Sequence, residues 1–285
     1  MARTLGFLGP SGTYTEEACL LYDPSAELRP YPTITAVGQA VVAGELEEGV
    51  VPIENSLEGS VNFTLDLLIS QPSLFIKGEV VVPIEHYLMA KPGTDPAKIK
   101  VVYSHPQALA QCREYLEKNF PQAEPMASLS TVLAVSDAIA SPVPAAAIAP
   151  RRASELNDVD VLDRGIQDVA ANVTRFAVLS LSDHAPTGRD KTSMAFTFDV
   201  DTPGLLYHAL GEFAERGINL FKVESRPTKQ SLGQYIFLVD CAGHREESPM
   251  KDALAALSQP ISMLRILGSY PQWTPTGSPT GSPKP

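Results

Sequence analysis

Long uncharged apolar runs are missing from this 285-residue chain, and none reaches the roughly 18 residues that a membrane-spanning helix needs. The opening MARTLGFLGP lacks the apolar core of a secretory signal. A cytoplasmic protein is therefore expected, neither secreted nor membrane-spanning, and the sequons at Asn62 and Asn172 are not expected to carry glycans. Basic residues are scarce as well. Lys and Arg number 22 against 33 Asp and Glu, a formal net charge of −11, so no electrostatic footprint for nucleic acid or an anionic membrane surface is present. A small anionic ligand would have to be held by local dipoles and one or two arginines. The three cysteines, Cys19, Cys112 and Cys241, are far apart and form no CxxC. They read as reduced thiols that fill core space.

Several familiar sites are excluded in the same way. His86, His105, His184, His208 and His244 show neither HxxxH nor HxH spacing, so no metal site is expected. Gly6, Gly9 and Gly12 fall three apart, which matches neither dinucleotide nor P-loop fingerprints, and no GxSxG elbow is present.

What is there is a recurring unit of strand, glycine or polar turn, and helix. TLGFLG reads as a buried strand, followed by a turn at Gly9–Gly12 and a helix start at which Thr13 and Glu16 have capping-box spacing. GVVPIENSLEGSV gives a strand through Ile53, a polar turn and a helix toward Leu68. IKVVYSHPQALAQCREYLEKNF gives a strand to Ser104, then a helix with Pro106 in its first turn and a second box from Ser104 to Gln107. In AAAIAPRRASEL, Pro150 opens a helix. The alternation argues for an α/β domain with mostly parallel strands, whose ligands sit where strand ends meet helix N-termini.

After Leu181 the texture changes. SDHAPTGRDK reads as a linker, and the following stretch reads strand, helix, strand, strand, helix, strand, the βαββαβ order of a ferredoxin-like sandwich. The expected division is 1–182, a linker at 183–190, the sandwich at 191–270, and a tail at 271–285 too poor in apolar residues to fold.

The polar residues cluster as Glu54-Asn55-Ser56, as Ser104 to Gln107 with Gln111, and as Asn172 to Phe176. Gln107 and Gln111 share a helix face with Ser104. Arg175, inside an apolar run, is either an exposed strand residue or a carboxylate clamp.

With GPSGTYTEEA, VPIENSLEGSV, SHPQALAQC, ANVTRF, TSMAFTF, PGLLYHAL and INLFKVESRP in this order, the chain closely resembles the prephenate dehydratases from Gly6 to about Tyr270. The resemblance implies two α/β lobes like a type II periplasmic binding protein, with the active site in their cleft, plus a phenylalanine-sensing ACT domain. With no helical chorismate mutase segment ahead of Gly6, it is to the monofunctional form. It implies conversion of prephenate to phenylpyruvate, carbon dioxide and water, without a cofactor. Thr174 would act as a positioned donor to the leaving hydroxyl, and Asn55, Ser104 and Gln111 would orient the substrate. Ser11, Thr13, Ser56, Gln107, Asn172, Arg175 and Phe176 would contact it. Arg175 would pair with the pyruvyl carboxylate or brace the site through protein contacts. Gly204, Leu205, Leu206, Asn219, Leu220, Glu224 and Ser225 would frame the L-phenylalanine pocket between paired ACT domains, in a homodimer or homotetramer. Leucine at 205 stands where the family's turn has a small residue. The alternatives are an arogenate dehydratase and a catalytically silent phenylalanine sensor. Crossings between the lobes are expected near Glu79–Val82 and Asp163–Ala170.

Overall fold

The structure, a computed structural model, describes residues 3–199, 202–228, 234–257 and 261–274. Elements begin with β1 (Thr4–Leu8), α1 (Tyr14–Tyr22), β2 (Glu27–Tyr31), α2 (Ile34–Val42) and β3 (Glu48–Asn55). A two-residue β4 (Gly59–Ser60), α3 (Asn62–Ser70) and β5 (Phe75–Pro83) follow. The chain continues through β6 (Tyr87–Ala90), β7 (Val101–Ser104), α4 (Pro106–Gln111), α5 (Arg113–Asn119) and β8 (Glu124–Ala127). Next come α6 (Thr131–Ala140), β9 (Ala145–Ala149), α7 (Arg151–Leu156), β10 (Asp160–Arg164) and β11 (Val173–Ser180). The last elements are β12 (Asp190–Phe198), α8 (Leu205–Ala214), β13 (Leu220–Pro227), β14 (Tyr235–Ala242), α9 (Met250–Ala256) and β15 (Ile261–Pro271).

Three sheets result. The first has the order β2-β1-β3-β11-β5 with β4 paired to β3, the second β10-β6-β9-β7-β8, and the third β13-β14-β12-β15. The pairs β1/β2, β7/β8 and β7/β9 are parallel, whereas β6 runs antiparallel to both β9 and β10. The second sheet is therefore mixed, not the mostly parallel one expected. The chain enters it after Ile84–His86 and leaves it after Arg164. Glu79–Val82, expected as the first crossing, lies inside β5.

Two compact units form. One takes in the chain up to Val37, Pro52–Val61 and Val81–Phe176. The other takes in Gly38–Val51, Asn62–Val80 and the chain from Ala177 onward. In the first unit, β9 shows why a run of small apolar residues makes a central strand. Ala146 and Ile148 pack with Leu88, Val102, Ala108, Cys112 and Leu116 on one face. Ala145, Ala147 and Ala149 pack with Met89, Ala134, Val135, Ala138 and Ala153 on the other. The two-residue period of a strand divides five consecutive buried residues between two cores.

In the second unit, β12, β13, β14 and β15 pair antiparallel throughout, in the βαββαβ order. Phe213, Met250 and Leu257 from α8, α9 and its end pack on Met194, Phe196, Val239 and Cys241 of the sheet. Phe196 also stacks on Phe237 at 5.6 Å between centroids. Each fully buried large side chain contributes about 1.5–3 kcal/mol. Gly268 in β15 has no alternative: its φ is 154°, and a Cβ there would overlap the Ile76 carbonyl oxygen. All three cysteines are buried free thiols. Burial pushes the Cys19 and Cys112 thiols up to about 12, which suits inert packing.

Pro271 to Trp273, expected to belong to the tail, are instead bonded to the fold. Lys191 Nζ sits 2.9 and 2.8 Å from the two Glu79 carboxylate oxygens, and the Trp273 N–H donates to the same carboxylate at 3.0 Å. Gln272 N–H donates to Arg189 O at 3.1 Å. These bonds hold Pro271 to Trp273 in place, and 275–285 lies outside the described residues. Among the described residues, no helix is long and apolar enough to cross a membrane.

Candidate active site

Backbone hydrogen bonds bring the polar motifs of the first unit together. Ser56 N–H donates to Val173 O at 2.9 Å, Val173 N–H donates back to Ser56 Oγ at 3.0 Å, and Ile84 N–H donates to Asn172 O at 2.8 Å. The end of β3 is thus laced to the start of β11. Asn55 sits at this junction, nine-tenths buried. Its Oδ1 accepts from the N–H groups of Leu57 and Glu58 at 3.0 and 3.1 Å. Its Nδ2 donates to Asn172 Oδ1 at 2.8 Å, to Thr174 Oγ1 at 2.9 Å and, more weakly, to Val173 O at 3.3 Å.

The chain of amides continues outward. Asn172 Nδ2 donates to Gln111 Oε1 at 3.1 Å, and the same oxygen lies 3.0 Å from His86 Nε2. Gln111 Nε2 reaches Glu58 Oε1 at 3.3 Å. On the far side of the imidazole, His86 Nδ1 is 3.2 Å from the Tyr14 hydroxyl, which also donates to Glu85 O at 2.7 Å. Burial raises the Tyr14 phenol well above its usual value, with Glu17 adding to the shift. Burial likewise lowers the His86 imidazole.

Of the expected residues, Asn55, Gln111, Asn172 and Thr174 therefore meet in one network, with Ser56 fastening it. Ser104 does not join them. It is fully buried, and its hydroxyl donates to Ile148 O at 2.6 Å, tying β7 to β9. Phe176 is also fully buried and offers no surface for a ligand. Gln107 takes no part either, because α4 turns Gln111, not Gln107, toward Asn172. The capping boxes form differently from the sequence reading. At α4 the cap is His105, whose Nδ1 accepts from Gln107 N–H at 3.3 Å. At α1 the Thr13 side chain turns back to Leu8 O at 3.4 Å, and Glu16 Oε2 accepts the Gly12 N–H at 2.6 Å. Glu16 is nearly buried and has a second partner in Arg152 at 3.5 Å, which holds its carboxylate one residue off the box geometry. Gly12, with φ 91°, lies under Val132 and Ala153, where a side chain would be strained. Ser11 is exposed at the tip of that turn.

Arg175 is engaged by protein. Its Nε and Nη2 lie 3.1 and 2.8 Å from Glu54 Oε2, in a half-buried pair. The sequence reading takes histidines only as metal ligands and so does not point to His86, nor to Tyr14 beside it. The available signal is a histidine in the short connection between two apolar strand runs, VVVPI and YLMA.

Residues 5–184 match the family model described as prephenate dehydratase. The chain belongs to the prephenate dehydratase family. Residues 200–259 match the ACT domain model. The prephenate dehydratase of Methanocaldococcus jannaschii is 38% identical, with 95% of this chain and 99% of that protein covered. A bifunctional chorismate mutase/prephenate dehydratase of Aquifex aeolicus is 42% identical over 94% of this chain and 73% of its own length. The prephenate dehydratase of Arthrobacter aurescens, solved in complex with L-Phe, superposes with a TM-score of 0.87 at 38% identity, covering 94% of this chain and 90% of that one. The solved structure of GqqA, described as a novel type of quorum quenching acylase, gives 0.85 at 32% identity, covering 95% and 98%. The chain is thus a hydro-lyase of a phenylalanine-biosynthesis family, a catalytic α/β part followed by an ACT domain.

In the ACT domain of this dehydratase, a cavity of about 210 Å³ opens at the start of α8. Gly204, Leu205 and Leu206 line it, with Phe198, Tyr207 and Gln234. Gly204 is the helix N-cap. Asn219, Leu220, Glu224 and Ser225, expected in the same pocket, lie on or beside β13 and do not line this cavity. The Arg226 guanidinium of that strand pairs with Asp66 on α3.

Proposed function

We propose that the chain carries out the decarboxylating dehydration of prephenate to phenylpyruvate, carbon dioxide and water, and that L-phenylalanine inhibits it through the ACT domain. The direction of the hydrogen bonds at Thr174 carries this reading. Asn55 donates to Thr174 Oγ1, and among the described residues the hydroxyl makes no bond as a donor. Its own proton is free to be aimed at a departing oxygen. As the bond to the ring carboxylate breaks, its electron pair completes the aromatic ring, and the C–O bond breaks at the opposite carbon. The leaving hydroxide takes up a proton, ultimately from solvent, and departs as water. Thr174 is too weak an acid to be the bulk source, so it acts by donating a hydrogen bond to developing negative charge.

The Glu54 partner of Arg175 supports the bracing role for that residue. Clamping the carboxylate that must leave would stabilise the ground state and slow the reaction. For the effector, support comes from the ACT match, from the L-Phe in the Arthrobacter structure, and from the cavity at Gly204. The residues of β13 would complete that pocket from a second copy, in a homodimer or homotetramer paired through its ACT domains. Inhibition then requires two states that differ in affinity for the effector.

The test is an assay of phenylpyruvate by its ultraviolet absorbance in alkali, after adding prephenate with and without L-phenylalanine. Turnover that L-phenylalanine suppresses is the expected result. A higher kcat/KM for arogenate would make the chain an arogenate dehydratase, and turnover of neither substrate would leave a phenylalanine-binding protein.

A further inference from the structure

The amide chain beginning at Asn55 has a direction, and His86 stands at its end. Backbone N–H groups can only donate, so the two that face Asn55 from Leu57 and Glu58 fix its Oδ1 on their side. Its Nδ2 must then face Asn172, which fixes Asn172 Oδ1 toward Asn55 and Nδ2 toward Gln111. Gln111 accordingly turns its carbonyl oxygen inward, and that oxygen is the atom 3.0 Å from His86 Nε2. An acceptor faces this nitrogen, so the nitrogen must carry a proton.

We propose that His86 is a positioning residue of the dehydratase site: its Nε2–H, together with Asn172, pins the Gln111 carbonyl oxygen, so that Gln111 presents its amide N–H groups on the side of Glu58. His86 is itself held by three contacts, two of them to the ring. Its backbone N–H donates to Gln167 Oε1 at 3.0 Å, the Tyr14 hydroxyl lies 3.2 Å from Nδ1, and the Tyr14 ring meets it edge-on with centroids 6.0 Å apart. Burial disfavours the charged ring. The one proton of the neutral ring is therefore on Nε2, toward Gln111, and Nδ1 is bare beside the Tyr14 hydroxyl, whose own proton goes to Glu85 O. No atom of His86 needs to touch substrate. It acts through Gln111, and its loss leaves that part-buried oxygen one donor short.

The effect on turnover rests on the function proposed above, whereas the proton's position does not. In the full-length chain, nitrogen-15 NMR of the His86 ring is expected to show a directly bonded proton on Nε2 at neutral pH, and a bare Nε2 would overturn the proposal. His86→Leu is expected to lower kcat for prephenate about 10- to 100-fold with KM within about threefold, the size of one lost hydrogen bond to a part-buried acceptor. His86→Gln, which can place an amide N–H near the position of Nε2, is expected to recover activity to within about fivefold of the parent. In a Gln111→Ala background the His86→Leu change should cost less than about twofold, because the partner it acts through is gone. Full additivity of the two losses would sink the idea, as would equal activities of His86→Leu and the parent. Should His86→Leu fail to fold, His86→Gln and the ring spectrum still decide. A parent chain inactive on prephenate and arogenate would defeat the proposed function alone, leaving the spectrum to judge His86.

Discussion

The network around Asn55 and the cavity at the start of α8 use polar groups in opposite ways. In the first, side chains from β3, α4, α1 and the start of β11 satisfy one another, and each amide fixes the orientation of the next. In the second, a helix N-terminus and the ends of two strands border an open space lined by exposed residues such as Tyr207, 77% exposed. A site whose amides orient one another holds its geometry before any ligand arrives. A site made of unfilled edges gains its partners only when something docks. That contrast suits a proposed catalytic centre, where preorganisation lowers the barrier, and a proposed effector pocket, where occupancy must change something.

The contrast can be broken most severely at Thr174. Thr174→Ala should reduce kcat for prephenate about 100- to 1,000-fold, as loss of a donor to developing charge does elsewhere, while Thr174→Ser stays within about tenfold. Steady-state phenylpyruvate formation measures both, and near-parental turnover by the alanine variant would remove Thr174 from the chemistry. Asn55→Asp probes direction alone, since it keeps the shape and replaces a donor by an acceptor. The Thr174 proton would then turn inward to the new carboxylate, and kcat should drop about 100-fold with the fold retained by circular dichroism.

Stability gives the next test. Asn55→Ala leaves the Leu57 and Glu58 N–H groups and Asn172 Oδ1 without a partner and should cost about 2 kcal/mol in urea unfolding. Tyr207→Ala at the exposed cavity should change it by less than about 0.5 kcal/mol. Similar costs for the two would erase the distinction between a built and an open site. The smallest effect is expected at Leu205. Replacing it by Ala restores the small residue of the family turn and should tighten L-phenylalanine binding about threefold by calorimetry, a fraction of the value of a buried side chain.

Much of the fold was legible because short-range signals govern it. The βαββαβ order followed from alternating periodicity and turn residues, and AAAIAPRRASEL read as one more strand and helix with Pro150 at the join. What spacing did not reveal has one cause. Thr13 and Glu16 have capping-box spacing, but Glu16 is drawn to Arg152, 136 residues away, and takes the Gly12 N–H instead. Ser104 sits among the polar residues of its motif, yet Ile148 lies beside it and claims its proton. Spacing along a helix placed Gln107 and Gln111 on one face, and nothing in that spacing says which of them meets Asn172.

The sequence by itself determined the order of strands and helices, the core-filling character of the cysteines and the family, because periodicity, turn chemistry and motif order are local properties. Only the tertiary structure decided which polar side chains share hydrogen bonds and in which direction each bond runs. Those directions depend on donors and acceptors more than a hundred residues apart, such as Asn55 and Thr174, and a group's role as donor or acceptor is settled by the partner facing it once water is excluded.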